Sequence, residues 1–274
     1  SAIDEEAAKR AFTVYLPGRN IPMIPRTLSD ELCSLKEGEQ RHTLCCELLI
    51  RRDGSIAPDF RFFAATICSQ GRLIYDQVSD FLELGQAEGF NPNATIIEQI
   101  RGLEAITAAR HNWRSEHSLV FKDKPDYAFE LNEAGEVVAI HVEPRRIANR
   151  MVEEAMIAAN ICAGEFLTRT PGYGIFNVHP GFDPEKLQGA MDLLSAHNAP
   201  IADERINTLD GFCQLRRWMD GLPSPFLDSR IRRFQTFAVV TSQPGPHYGL
   251  GLNAYATWTS PIRKYGDMVN HRII

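Results

Sequence analysis

The stretch Ala254-Tyr255-Ala256-Thr257-Trp258-Thr259-Ser260-Pro261-Ile262-Arg263-Lys264-Tyr265-Gly266-Asp267 decides how the rest of the chain is read. Ser260 is a good helix N-cap and Pro261 suits a first helical position, so the last helix is expected to open here. That placement puts Arg263 and Lys264 in the first turn, where cations oppose the helix dipole. Cations in such a position ask for an anion, and a helix N-terminus with its unpaired N–H groups is a natural phosphate site. The competing reading pairs Arg263 with Asp267, four residues further on. The phosphate reading is the one preferred here.

Charge along the chain extends the argument. The net charge of the 274 residues is −6, which by itself argues against a nucleic-acid binder. Its distribution is uneven. Residues 76–143 carry 13 Asp and Glu against 5 Lys and Arg, whereas residues 230–274 carry 6 basic residues against one acid. Arg145, Arg146 and Arg150 form a second basic knot. Such asymmetry fits a phosphate-tracking surface inside an acidic protein. On charge alone, the pairing of clustered arginines with the acidic segment is the preferred reading.

The remaining pattern is α+β, with antiparallel hairpins early and helices later. Residues 4–13 read as a helix ending before Leu16-Pro17-Gly18, followed by a proline-rich connector at 21–25. Residues 42–51 and 59–69 read as strands around the turn signal Asp53-Gly54, and 127–131 with 137–142 as a second hairpin. Residues 74–84 and 95–113 look helical. The helix at 147–168 carries an apolar stripe beside a polar one of Arg146, Asn149, Glu153 and Asn160. That polar stripe either lines a cavity or is a solvated face with an Asn149–Glu153 contact. A short strand at 174–178 and helices near 184–197, 208–220 and 226–238 precede a glycine-rich loop at 245–251.

Other functions lose support. No Walker loop, dinucleotide fingerprint, HExxH or GxSxG occurs, so kinases, dehydrogenases and serine hydrolases are poor matches. The six cysteines form no CxxC pair and no zinc spacing, and are expected to be buried, reduced thiols. No stretch is apolar over a membrane-spanning length, so no membrane partner is expected. The chain starts on Ser1 and ends inside a helical pattern, and is expected to be a piece of a longer polypeptide. Tyr15, Tyr75 and Phe121 sit beside polar residues at element boundaries, where rings either stack on bases or edge the core.

The segment 254–267 resembles the signature of the ribonuclease II family, the RNB catalytic domain. Glu143-Pro144-Arg145-Arg146-Ile147-Ala148-Asn149-Arg150-Met151-Val152-Glu153-Glu154-Ala155-Met156 resembles a second family block, and 22–34 and 73–80 resemble further ones. The resemblance runs the whole length. Where the family commonly reads His-Phe-Thr-Ser-Pro-Ile-Arg-Arg-Tyr, this chain has Thr257-Trp258 and Lys264, closer to the bacterial ribonuclease II branch than to ribonuclease R.

The resemblance implies residues 1–274 as a partial RNB-type domain, α+β, with early hairpins packed against later helices and incomplete at both ends. No cold-shock or S1 module is expected within residues 1–274. It implies a cytoplasmic, monomeric, Mg²⁺-dependent 3′→5′ exoribonuclease that hydrolyses single-stranded RNA to nucleoside 5′-monophosphates, as in mRNA degradation, with no nucleotide cofactor. Arg263 is then catalytic, contacting the scissile phosphate. Tyr75 and Glu153 hold the 3′-terminal nucleotides, Glu153 through ribose hydroxyls. Tyr15 and Phe121 clamp the stacked bases, and Arg146 and Lys264 touch the backbone. The family's aspartate cluster for Mg²⁺ has no match, since Asp30, Asp76 and Asp267 are isolated. The alternatives are an inactive RNA-binding protein of the same fold and a module that binds protein through its acidic middle.

Overall fold

The computed structural model describes residues 1–120, 126–170 and 172–274. They form two compact units. The first holds residues 1–111, 126–159 and 258–272, and the second holds 112–120, 160–257 and 273–274, apart from residue 171.

In the first unit, helix α1 (Ala2–Arg10) begins on Ser1, whose hydroxyl accepts the Asp4 N–H. Strands β1 (Val14–Leu16) and β2 (Arg19–Ile21) follow as a tight antiparallel hairpin. Pro17-Gly18 is therefore a strand-to-strand turn and not a helix stop, and Gly18 takes φ +73°, which a side chain resists. A π-helical turn spans Thr27–Leu32. Strands β3 (Gln40–Ile50) and β4 (Ile56–Cys68) form the long expected hairpin. Asp53 accepts the Ser55 N–H at 2.9 Å, Gly54 turns at φ +88°, and the buried Arg110 guanidinium donates to the Gly54 carbonyl.

Helix α2 (Tyr75–Leu84) and helix α3 (Ala94–His117) come next. Strands β5 (Asp126–Leu131) and β6 (Val137–Glu143) form the third hairpin. Helix α4 (Ile147–Arg169) buries apolar positions at helical spacing, and Ala148 and Met151 pack against Val78 of α2 and Ile100 of α3. Trp258 is pinned in the same unit. Its indole N–H donates to the Ala159 carbonyl, its ring meets Phe62 edge-on, and its carbonyl bonds His271.

The second unit is mainly helical. It contains β7 (Phe176–Val178), α5 (Leu187–Ala196), α6 (Leu209–Asp220), α7 (Phe226–Ile231) and β8 (Val239–Thr241), with β7 and β8 antiparallel. The helix expected over 226–238 is only α7 plus a 3₁₀ turn, because the chain leaves to pair as β8. Leu194, Phe212, Leu215 and Ile231 make its core. The glycine-rich loop closes on this core: Gly251 takes φ +67° where an added Cβ would lie 2.8 Å from Cys213 Sγ. The loop's His247 is half-buried beside His179, and desolvation holds its imidazole down at about 4. The loop is thus a packing element.

Cys162 and Cys213 are buried as expected, but Cys33 and Cys68 are exposed, because both sit at the ends of elements facing solvent. No described helix is long and apolar enough to cross a membrane.

Candidate nucleic-acid interface

The signature segment is held from its backbone outward. The final helix, α8 (Tyr265–Ile273), starts at Tyr265 and not at Pro261, as the sequence suggested. Residues 261–263 form a separate turn, closed by Arg263 N–H and Lys264 N–H donating to the Ser260 carbonyl. The buried Asp267, in the first turn of α8, accepts the Ser260 N–H at 2.9 Å. Its carboxylate therefore serves the dipole end of α8 and ties the turn to it. The N-terminal arm clamps the other side. Thr13 N–H donates to the Arg263 carbonyl, Tyr265 N–H donates to the Ala11 carbonyl, and Asp4 accepts from Tyr265 Oη and Arg272. Ala7, Met23 and Ile24 pack with Ile262, Tyr265 and Met268 beneath.

Above that base lies a cleft of about 430 Å³. Arg263, Thr259 and Ser260 line one part of it, and Thr13, Tyr15 and Asn20 another. The Arg263 side chain is exposed. Among the described residues no carboxylate pairs with it, so neither Asp267 nor Asp30 neutralises it. Tyr15 is 63% exposed on β1. The structure thus brings Arg263 and Tyr15 to one cleft. Sequence reading missed Thr13, Asn20, Ser29 and Asp30, which also line it. The signal for them was the Pro17-Gly18 turn, which folds residues 14–21 into a hairpin.

The opening of α4 is built in the opposite way. Arg146 donates to Asp80 and to Glu83, each at 2.7 Å, with Asp76 at 3.9 Å. These bonds raise the Arg146 guanidinium above its ordinary value and hold the Glu83 carboxyl below its own. Asn149 Oδ1 accepts the Arg146 N–H, as the third residue of a capping box does. Ser79 Oγ accepts the Ala148 N–H, and Glu83 accepts the Ile147 N–H. Side chains have thus taken the N–H groups a phosphate could use. In this structure the Arg146 guanidinium is engaged by the acidic residues of α2.

The polar stripe divides for the same reason. Glu153 is not bonded to Asn149 but to Arg145, at 2.6 Å, and Asn160 is buried, donating to Tyr255 Oη in the second unit. The stripe is therefore no single cavity wall. Tyr75 is the first residue of α2 and half exposed. Lys264 bridges to Phe12 through its backbone and does not line the cleft. Phe121 lies outside the described residues. No group of three or more His, Cys, Asp or Glu able to hold a metal occurs among the described residues. The residues described here do not fit a Mg²⁺ site.

The comparisons with known proteins agree with the fold. The RNB domain model matches residues 1–274, and the chain belongs to that family. It is 64% identical over 274 residues to Exoribonuclease 2 of Aeromonas hydrophila, covering 100% of this chain and 40% of that protein. It is 57% identical to Exoribonuclease 2 of Edwardsiella piscicida, covering 100% of this chain and 42% of that protein. The fold superposes on Mycoplasma genitalium RNase R in complex with ribose methylated single-stranded RNA, with a TM-score of 0.86 at 26% identity, covering all of this chain and 42% of that one. The α+β reading and the family resemblance hold. The chain spans about two fifths of the length of the curated relatives it matches.

Proposed function

We propose that this chain is the RNA-holding, phosphate-contacting part of a 3′→5′ exoribonuclease that hydrolyses single-stranded RNA to nucleoside 5′-monophosphates. The observation that carries the reading is Arg263: an exposed guanidinium with no carboxylate partner among the described residues, in one cleft with an exposed tyrosine. Hydrolysis that leaves the phosphate on the departing nucleotide breaks a P–O3′ bond and builds negative charge on the phosphoryl oxygens. The Arg263 backbone is held by hydrogen bonds to Thr13 and Ser260, and a guanidinium carried there can meet that charge with charge-assisted hydrogen bonds. Tyr15 supplies a face for a base, which is sequence-tolerant and suits single strands. Tyr75 and Glu153 are assigned the terminal nucleotides. Glu153 has one carboxylate oxygen on Arg145 and the other for a ribose hydroxyl, the group that separates RNA from DNA. Similarity to proteins named Exoribonuclease 2 supports the assignment.

A second reading, an RNA-binding protein of this fold without hydrolysis, is favoured by one observation: the described residues hold no metal-binding carboxylate group. The test of the first reading offers single-stranded RNA and DNA of one sequence to the chain and to Glu153→Ala. Tighter RNA binding, with a preference that shrinks in the variant, supports it. Equal binding of the two nucleic acids contradicts it. If a preparation that includes the flanking sequence binds RNA and releases no monophosphate, the second reading stands.

A further inference from the structure

Tyr15 and Asn20 are directly opposite each other in the β1–β2 register, so they share one face of the hairpin, and both line the cleft with Arg263. Asn20 is not left to choose its orientation. The Arg26 guanidinium donates to the Asn20 side-chain oxygen and, at 3.0 Å, to its backbone carbonyl. Arg26 is itself anchored on Asp30 at 3.0 Å, and Asp30 accepts the Ser29 hydroxyl at 2.6 Å. Those two bonds hold the Asp30 carboxyl below its ordinary value, so the anchor stays charged at neutral pH. An amide whose oxygen is engaged by a guanidinium presents its NH₂ elsewhere, as a pair of donors.

We infer that Asn20 is a specificity-determining residue that reads the base stacked on Tyr15, an inference that rests on the RNA-holding role proposed above. An amide NH₂ beside a stacked ring meets the edge of the base. There it favours an acceptor, such as the keto oxygen of uracil or guanine, over the exocyclic amino group of cytosine or adenine. Arg26 is a positioning residue acting through Asn20. Arg263 supplies the sequence-independent phosphate contact, so the cleft combines one group that positions with one that discriminates.

The test measures affinities of oligo(U) and oligo(C) for the full chain, for Asn20→Asp and for Tyr15→Ala. The Asn20→Asp side chain keeps an oxygen for Arg26 and replaces the donors with acceptors. It should shift the U-to-C affinity ratio toward C by about fivefold or more, whatever happens to overall affinity. A purely structural or charge effect lowers both affinities together, and an unchanged ratio overturns the inference. Asn20→Ser, a smaller donor and acceptor, should give an intermediate ratio. If the wild type binds, Tyr15→Ala weakens binding and the Asn20 variants leave the ratio alone, the RNA-holding reading survives and this inference fails. If the wild type binds neither oligomer at low salt, both fall.

Discussion

Arg263 and Arg146 both lie just before a helix N-terminus in the same compact unit, yet their surroundings are opposite. Arg146 faces three carboxylates of α2, and the first N–H groups of α4 are taken by Asn149, Glu83 and Ser79. Arg263 has its backbone fastened from two sides and no described carboxylate on its side chain. Basic residues near helix starts are therefore two populations. One is tied into the fold by its side chain, and the other is held by its backbone with its side chain exposed.

The strongest way to break the comparison is Arg263→Ala. It should weaken single-stranded RNA binding about tenfold or more, by loss of one charge-assisted phosphate contact. It should leave the thermal unfolding midpoint within about 1 °C, because the side chain is exposed and makes no ion pair among the described residues. Binding isotherms and a melting curve on the same preparations check both halves. Tyr15→Ala comes next. Losing a stacking face is expected to cost roughly fivefold to a hundredfold in affinity, with little change in the salt dependence, since no charge is removed.

Arg146→Ala should do the reverse, leaving RNA affinity nearly unchanged and lowering the thermal midpoint by about 2–4 °C. The pH dependence sharpens this. The Arg146 bridge holds the Glu83 carboxyl below its ordinary value of 4.5. Its stabilisation is thus present above pH 4.5 and is lost as pH falls through the lower folded-state value. The stability gap between wild type and Arg146→Ala should close on acidification over that range. A gap that does not narrow as pH falls below 4.5 contradicts the ion-pair account.

The two arginines also show what the sequence could and could not reveal. The hairpin at Asp53-Gly54, the periodicity of α4 and the signature segment were legible because turn chemistry and apolar spacing are local. Which arginine was paired was not legible: Arg146 and Glu83 are 63 positions apart, and only the packing of α4 on α2 brings them together. The start of α8 was misread because Asp267 reaches back to Ser260, so the N-terminal signal of Ser260-Pro261 belongs to a turn. Asn20 escaped because its partner in register, Tyr15, is set by a three-residue strand too short to show alternation.

The most direct test of the account is the salt dependence of single-stranded RNA binding for wild type, Arg263→Ala and Arg146→Ala. Each phosphate neutralised on a single strand contributes about 0.7 to the slope of log K against log salt. The account predicts that Arg263→Ala lowers the slope by about that amount and that Arg146→Ala leaves it unchanged. Equal slopes for wild type and Arg263→Ala, or a reduced slope for Arg146→Ala alone, would contradict it.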